Sequence, residues 1–268
     1  MNEKGLSTLK VCEQKLKYLN YSPKTIKIYT WYINQFLKSQ SKSCEHLNSK
    51  DFQSYLDNYK FTSISQQNQV INAIKFLYEK ALEKKYDKVS FERPKGERNL
   101  PQVIDKDYII SQINKIHNLK HKAILALTFS VGLRVSEVVN LKIEDIDSKR
   151  MLILIKNAKG RKDRIVPLSE NILKLLRDYY VTFKPKVYLF NGQFQLKYSV
   201  GSCQKIFKKY IDSKSHFHIL RHSCFTSLLE CGTDLRIIQK LAGHSSSKTT
   251  EIYTHVSTAL LQKVALPL

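Results

Sequence analysis

Apolar residues recur every three or four positions through the first third of the chain, which is the spacing of one face of an amphipathic helix. Members of this pattern are Leu16, Leu19, Ile26, Tyr29, Ile33, Phe36, Leu37, Phe52, Leu56, Val70, Ile74, Leu77 and Leu82. Ser22 followed by Pro23 is a helix-start signal within it. We therefore predict a small domain of about four helices over residues 1–90.

The helical pattern lapses between Ser90 and Asp105. From residue 91 this stretch reads Phe-Glu-Arg-Pro-Lys-Gly-Glu-Arg-Asn-Leu-Pro, and such a mixture of proline, glycine and charge is typical of an extended linker. We place a linker at residues 91–105 and a second domain at residues 106–268.

The second domain has both helical and strand patterns. Helices are predicted at 106–117, 119–141 and 169–182 and over most of 199–263. Two apolar runs at 151–155 and 165–168 flank a cationic stretch and predict a β-hairpin turned at Gly160, and a short strand is expected at 188–190. The predicted fold is mainly α with a small β-hairpin or sheet, an α+β class.

Two arginines of this domain are candidate phosphate ligands. Arg134 follows Gly132, which permits a tight bend inside an apolar helical pattern, and Arg221 ends the sequence His218-Ile-Leu-Arg221. Forked guanidinium donors match the non-bridging oxygens of a phosphodiester, which gain negative charge when an oxygen nucleophile attacks. The two side chains are predicted to clamp one phosphate.

Tyr253, which follows Gly243-His244 near the C-terminus, is the candidate nucleophile. A phenol is mostly protonated at neutral pH and needs nearby cations or a base to react. His218 and His244 are suited to this task because imidazole transfers protons near neutral pH. Lys159, on the hairpin tip, is expected to reach the leaving oxygen.

Other interpretations of these residues remain open at this point. Lys156 and Lys162 lie in the same hairpin as Lys159 and are alternatives to it. Arg134 is also spaced to pair with Glu137 on a helix surface. His222 is expected to point away from His218 and is left out of the site.

Five motifs in this order resemble those of the tyrosine recombinases, the phage-integrase-like family of site-specific DNA recombinases, and most closely its compact Xer-like members. The motifs are Gly-Leu-Arg134-Val-Ser-Glu137, Lys159-Gly-Arg-Lys-Asp-Arg-Ile-Val-Pro-Leu168, His218-Ile-Leu-Arg221-His222, Leu241-Ala-Gly-His244-Ser and Thr249-Thr-Glu-Ile-Tyr253-Thr-His255. Together they span about half of the chain. Each motif alone occurs by chance in many proteins, whereas five in register do not.

The resemblance implies a role for each matching position. Tyr253 would attack the scissile phosphate and form a 3′-phosphotyrosyl link, while Arg134 and Arg221 hold the non-bridging oxygens. Lys159 would protonate the departing 5′ oxygen. His218 and His244 would assist in proton transfer and phosphate binding, and Glu137 would orient the site.

The resemblance also implies an assembly. The N-terminal module would be a core-binding domain of SAM-like type that closes over DNA, and residues 106–268 the catalytic domain. Four protomers, of this chain alone or with a related recombinase, would act on double-stranded DNA with inverted half-sites in integration, resolution or inversion. The apolar tail at 258–268 would dock into a neighbouring protomer, unless it packs on its own domain.

Charge agrees with a polyanionic partner. The 268 residues carry a formal net charge of +22, which favours nucleic acid because neutralised phosphates release counterions. A biased genome is the bland explanation of such a lysine-rich composition, although it does not account for the motifs.

Two other functions are alternatives to recombination. Residues 221–230 and 235–241 are spaced as a helix-turn-helix, which would suit a DNA-binding regulator without catalysis. A type IB topoisomerase-like enzyme would use similar phosphotyrosine chemistry to relax supercoils. A regulator has no use for a hairpin lysine or a late tyrosine.

Cofactor, metal and membrane associations are not expected. No Gly-x-x-x-x-Gly-Lys-Ser/Thr loop appears, and His216, His218, His222 and Cys224 lack the paired spacing of a metal site. No apolar run approaches the roughly 20 residues that span a bilayer, so we expect a soluble, cytoplasmic protein. Five irregularly spaced cysteines are expected to be reduced core residues.

Overall fold

The chain folds into two compact units, Met1–Arg98 and Asn99–Leu268, and the predicted linker at 91–105 spans the division between them. The structure is a computed structural model that describes residues 3–84, 91–95, 101–156, 163–244 and 246–254. Lys159, Gly160, His255 and the tail at 258–268 therefore lie outside the described residues.

Over residues 3–84 the first unit is a bundle of four α-helices. They are α1 (Glu3–Tyr18), α2 (Pro23–Ser39), α3 (Ser49–Asn58) and α4 (Ile64–Phe76), with α4 continuing into a π-helical turn at Leu77–Ala81. The Ser22 hydroxyl accepts a hydrogen bond from the Thr25 backbone nitrogen at 3.1 Å, so the predicted start of α2 is confirmed. The shared core includes Leu16, Ile33, Phe36, Phe52 and Ile74.

Over its described residues the second unit is mainly helical and carries one small sheet, so the predicted fold class is confirmed. Its elements are α5 (Lys106–Asn114), α6 (Leu119–Val131), α7 (Val135–Asn140), β1 (Ile146–Asp147), β2 (Leu152–Ile155), β3 (Arg164–Pro167), α8 (Glu170–Phe183), α9 (Val200–Tyr210), α10 (Ile219–Glu230), α11 (Leu235–Ala242) and α12 (Lys248–Glu251). Helix α6 runs through the core and packs against α5, α8 and α10. It is apolar on several faces because it is buried on several faces.

The sheet is antiparallel in the order β1, β2, β3. Ile153 on β2 faces Val166 on β3, and both are buried, as the predicted hairpin requires. Strand β1 was missed because two residues are too few to form an alternating pattern. The strand expected at 188–190 is wrong, because Tyr188 makes only an isolated bridge to Lys142.

The helix expected at 119–141 is also wrong, because the chain forms two helices that are separated at Gly132. Gly132 has φ +63° and ends α6 in the left-handed conformation. A Cβ on this glycine would lie 2.5 Å from Cζ of Phe225, so the helix-ending turn leaves room for that ring. The break places Arg134 at the start of α7.

The five cysteines are free thiols. Cys12, Cys44, Cys203 and Cys224 are buried, as expected of reduced core residues, whereas Cys231 at the end of α10 is exposed. Within the described parts of the chain, no helix has the length and hydropathy needed to cross a bilayer.

Candidate active site

Arg134 lies where the chain passes from α6 into α7. It has extended backbone angles and is the residue before the first turn of α7. Its backbone nitrogen donates to Oε2 of Glu137 at 2.8 Å, and its Nη1 donates to Oε1 of the same carboxylate at 2.9 Å. The Arg134 side chain is 17% exposed, so the guanidinium is oriented and still reaches solvent.

Glu137 binds a second arginine, Arg164, which begins β3. Nη1 of Arg164 donates to Oε1 of Glu137 at 2.7 Å, and Nη2 donates to Oε2 at 2.8 Å. This paired geometry is the strongest form of an arginine–carboxylate contact. The pairing of Arg134 with Glu137 therefore belongs to a buried network and is not a helix-surface ion pair.

The surroundings of Glu137 keep it ionised. Burial raises its pKa, but the hydrogen bonds and charge of Arg164, with the hydrogen bonds from Arg134, outweigh burial and lower the pKa to about 2. Unpaired carboxylates are rarely buried to this extent. Glu137 is consequently a fixed negative charge between two arginines at neutral pH.

Arg221 lies on α10 and is 1% exposed. Its Nη1 donates to the carbonyl oxygen of Gly132 at 2.6 Å, and its Nη2 donates to that of Ala242 at 2.5 Å. The guanidinium also lies 4.8 Å from the centre of the Phe225 ring. Burial, together with the charge of Arg134, lowers its pKa to about 10, so Arg221 remains charged at pH 7.

His244 follows the left-handed Gly243 that ends α11. Its Nε2 lies 3.1 Å from Nη2 of Arg221, and its Nδ1 lies 2.9 Å from Oγ1 of Thr250. The chain turn after α11 thus brings this histidine onto the buried arginine.

Tyr253 is in contact with the same group. Its ring is stacked 6.4 Å from that of His244, tilted 5.5 Å from that of Phe225, and 1% exposed. Burial raises the pKa of Tyr253 to about 12, although the charge of Arg221 opposes this rise. The phenol is therefore neutral and covered in the protein without DNA.

His218 precedes α10, and its exposed ring lies beside that of His222, with centres 4.6 Å apart. The expectation that His222 points away is wrong, because residues four apart share one face of a helix. The ring of His222 also lies 5.8 Å from that of Tyr253. Desolvation by the surrounding protein, with the charges of His222 and Arg221, lowers the pKa of His218 to about 4.

Lys156 lies on the described side of the hairpin tip. Its Nζ lies 2.7 Å from Oδ1 of Asp145 and 3.2 Å from Oε1 of Glu144. The hydrogen bonds that Lys156 donates to Asp145 and Glu144 raise its pKa. Lys156 is therefore a poor alternative to Lys159 as a proton donor, whereas Lys162 lies, like Lys159, outside the described residues.

Arg134, Glu137, Arg221, His244 and Tyr253 thus belong to one connected cluster, and His218 adjoins it through His222. Two family models match the chain: residues 9–88 match the N-terminal SAM-like domain of phage integrases, and residues 100–259 match the phage integrase family. The chain belongs to the phage integrase family. The resemblance to tyrosine recombinases is confirmed, and the enzyme class is that of the tyrosine-type site-specific recombinases.

Relatives within this family match over most of their length. The chain is 33% identical to tyrosine recombinase XerA of Pyrococcus horikoshii, over 94% of this chain and 91% of that protein. It is 33% identical to tyrosine recombinase XerD of Staphylococcus epidermidis, over 72% of each chain. The Xer-like character of the sequence is therefore confirmed.

Solved recombinase structures share the fold. A crystal structure of XerA recombinase is 29% identical, with a TM-score of 0.56, and covers 97% of this chain and 96% of that one. XerH site-specific recombinase bound to palindromic difH substrate, in a post-cleavage complex, is 22% identical, with a TM-score of 0.73, and covers 97% of this chain and 83% of that one.

Arg164 is the part of this cluster that sequence reasoning missed. It stands in the cationic stretch of the hairpin, where it resembles its neighbours Arg161 and Lys162. The available signal was its position as the first residue of an apolar strand, where burial of a charge requires a partner. That partner, Glu137, is distant in sequence.

Proposed function

We propose that this protein is a site-specific DNA recombinase that cleaves and rejoins DNA strands through a 3′-phosphotyrosine intermediate. The observation that carries the proposal is the contact of Tyr253 with His244 and of His244 with the buried Arg221. A neutral phenol, an imidazole and a guanidinium are the groups that a tyrosine nucleophile needs around a phosphate.

Binding of the scissile phosphate is assigned to the two arginines. Arg134 reaches solvent while Glu137 orients it, and Arg221 is charged although its surroundings are apolar. Their cations face the non-bridging oxygens, where negative charge develops during attack. A buried cation stabilises this charge more strongly than a solvated one, because less water screens the interaction.

Cleavage then transfers the phosphate from the DNA to Tyr253. The phenolic oxygen bonds to phosphorus, the bond from phosphorus to the 5′ oxygen breaks, and the DNA 3′ end remains on the tyrosine. The phenolic proton passes to a histidine of the site, His218 or His244, and His244 is the ring that stacks on Tyr253. Lys159 protonates the departing 5′ oxygen, and attack by a 5′ hydroxyl reverses both transfers.

The DNA-free protein is not yet in the reactive state. Tyr253 is 1% exposed and its pKa is raised by burial to about 12, so a phosphate cannot reach its oxygen in this conformation. We infer that DNA binding uncovers Tyr253 and Arg221, which is also 1% exposed. Burial of Tyr253 prevents DNA cleavage before the site is assembled.

The proposed substrate is double-stranded DNA with inverted half-sites, bound by four protomers. Family membership and a net charge of +22 support a DNA substrate. Inverted half-sites match the two-fold symmetry of paired protomers. Integration, resolution and inversion all use this one reaction. The four protomers are copies of this chain, or two of them are a related recombinase.

The two rival functions predict different chemistry. Helices α10 and α11 are arranged as a helix, turn and helix, but α10 directs Arg221 into the site and not toward DNA bases, which favours catalysis over a regulator. A topoisomerase-like enzyme would relax one supercoiled duplex. Strand exchange between two labelled duplexes distinguishes recombination from relaxation.

Covalent capture tests the proposal. Wild type and Tyr253→Phe are incubated with labelled duplexes from around the encoding locus, each carrying a nick so that the cleaved end diffuses away, and are then denatured. We expect a DNA–protein adduct with wild type only. Tight, salt-sensitive binding of that DNA without an adduct would favour the regulator.

A further inference from the structure

Arg164 is engaged entirely by contacts within the protein. Its side chain is 7% exposed, and each of its three nitrogens donates within the protein. Nη1 and Nη2 bind the two oxygens of Glu137, and Nε donates to the carbonyl oxygen of Leu241 at 2.7 Å. This side chain therefore joins β3 to α7 and to the end of α11.

The contact with Glu137 determines how Arg134 is held. Each oxygen of Glu137 is shared: Oε1 accepts from Nη1 of both arginines, and Oε2 accepts from Nη2 of Arg164 and from the backbone nitrogen of Arg134. Arg164 thus orients the carboxylate so that it engages the Arg134 side chain through Nη1. Nη2 and Nε of Arg134 take no part in this contact.

The contact with Leu241 determines how His244 is held. Leu241 lies in the last turn of α11, and Gly243 follows it with φ +62°. A Cβ on Gly243 would lie 3.0 Å from Cδ of Arg164, so this arginine is packed directly against the turn that leads into His244. The same side chain therefore supports the backbone beneath the histidine.

We propose that Arg164 is a positioning residue for DNA cleavage, which fixes Arg134 through Glu137 and His244 through the end of α11. This inference rests on the proposed function for its kinetic consequence. Its structural consequence is independent of any substrate.

Crystal structures of wild type and Arg164→Lys without DNA test the structural consequence. A lysine keeps the charge but cannot reach both oxygens of Glu137 and the Leu241 carbonyl. We expect a second nitrogen of Arg134 to come within about 3.2 Å of Glu137 and the ring of His244 to shift. Unchanged positions of Arg134 and His244 would overturn the inference.

Single-turnover cleavage tests the kinetic consequence. The substrates are nicked duplexes of the sequence that forms an adduct with the wild-type protein. We expect Arg164→Lys to slow cleavage about 30-fold, because small misplacements of catalytic groups are costly, while the Kd for the duplex changes less than about 3-fold. The matched control is Arg150→Lys in the turn between β1 and β2, whose side chain is 80% exposed. Cleavage by Arg164→Lys at the control rate would overturn the inference.

A double-mutant comparison separates positioning from a general loss of structure. If Arg164 acts through Glu137, then Glu137→Gln with Arg164→Gln should cleave no more than about 3-fold slower than the slower single variant. If the rate losses of the two single variants multiply in the double variant, Arg164 does not act through Glu137. A wild type that binds the duplex tightly and forms no adduct would refute the proposed function, and the crystal structures would still decide the role of Arg164.

Discussion

Nη2 of Arg221 lies 3.1 Å from Nε2 of His244. Because a guanidinium has donors and no acceptor, Nε2 must be the acceptor and the ring proton must lie on Nδ1. Nδ1 lies 2.9 Å from Oγ1 of Thr250, which accepts a hydrogen bond from the Nδ1 proton. Arg221 and Thr250 together therefore favour one neutral tautomer of His244 before any phosphate binds.

Thr250, which is fully buried, supplies the acceptor for this tautomer. Thr250→Val removes the acceptor while keeping nearly the same shape. We expect a mixed tautomer population and a roughly 10-fold slower cleavage step, since the histidine then presents the wrong nitrogen part of the time. Nitrogen NMR shifts of His244 and single-turnover rates measure both effects.

The control for this variant is Thr249→Val, on the exposed neighbouring residue. It should leave the NMR shifts and the rate unchanged. An Nδ1-protonated His244 in Thr250→Val would show that Thr250 does not hold the tautomer.

Glu137→Gln should be destabilising in a pH-dependent way. The pKa of Glu137 is about 2 in the folded protein, against an ordinary 4.5, so the charged pair stabilises the fold above pH 4.5 and this stabilisation is lost as the pH falls toward 2. We expect a free energy of unfolding about 3 kcal/mol below wild type at pH 7. Urea unfolding at pH 7 and pH 3 should show the difference shrinking.

Glu144→Gln is the matched control, because Glu144 is a salt-bridged carboxylate whose side chain is 62% exposed. Its effect should be small at both pH values. A Glu137→Gln difference that does not change with pH would contradict the charged network.

His222 should make the protein sensitive to mild acid. Burial, with the charges of Arg221 and His216, lowers its pKa to about 4 from an ordinary 6.5. Because the unfolded chain binds the proton more readily, stability should fall as the pH drops from 6.5 toward 4. The Tm of His222→Gln should depend less on pH across this range than that of wild type.

Exposed His117, changed to Gln, provides the comparison for His222. Its Tm should follow the wild-type pH dependence. Parallel curves for wild type and His222→Gln would mean that the contact with His218 and Tyr253 does not desolvate the His222 ring.

Alanine substitutions at two glycines distinguish the cost of backbone strain from the cost of a steric clash. Gly132 and Gly232 both have positive φ, but a Cβ would lie 2.5 Å from the Phe225 ring at Gly132 and meets nothing within 4 Å at Gly232. We expect Gly232→Ala to cost about 1 kcal/mol of unfolding free energy and Gly132→Ala about 3 kcal/mol. Equal costs by chemical denaturation would mean that Phe225 moves aside freely.

The sequence was sufficient for what depends on local chain pattern. Apolar periodicity predicted the helices, and the Ser22-Pro23 signal predicted the start of α2. The order of the motifs predicted that one site contains Arg134, Arg221, His244 and Tyr253. Their individual roles in catalysis remain predictions. Gly132 was recognised as a bend, but periodicity continued past it and hid the end of α6.

Contacts between side chains that are far apart in sequence could not be predicted. The pairing of Arg164 with Glu137 has no periodic signature, since it depends on how β3 packs beside α7 and α11. The burial of Tyr253 against Phe225 and His222 likewise follows from packing between elements. The orientation of His222 could have been inferred from helix geometry, because it stands one turn after His218.

Covalent joining of Tyr253 to a DNA 3′ end can be observed directly. We would recover the wild-type adduct on nicked duplex, digest the DNA and the protein, and map the nucleotide by mass spectrometry. Tyr179→Phe is the matched control, because Tyr179 is equally buried and its pKa is also raised to about 12. We expect a nucleotide joined through its 3′ phosphate to Tyr253 in the peptide 249–263, in wild type and in Tyr179→Phe. A nucleotide on any other residue, or one joined through its 5′ phosphate, would contradict it.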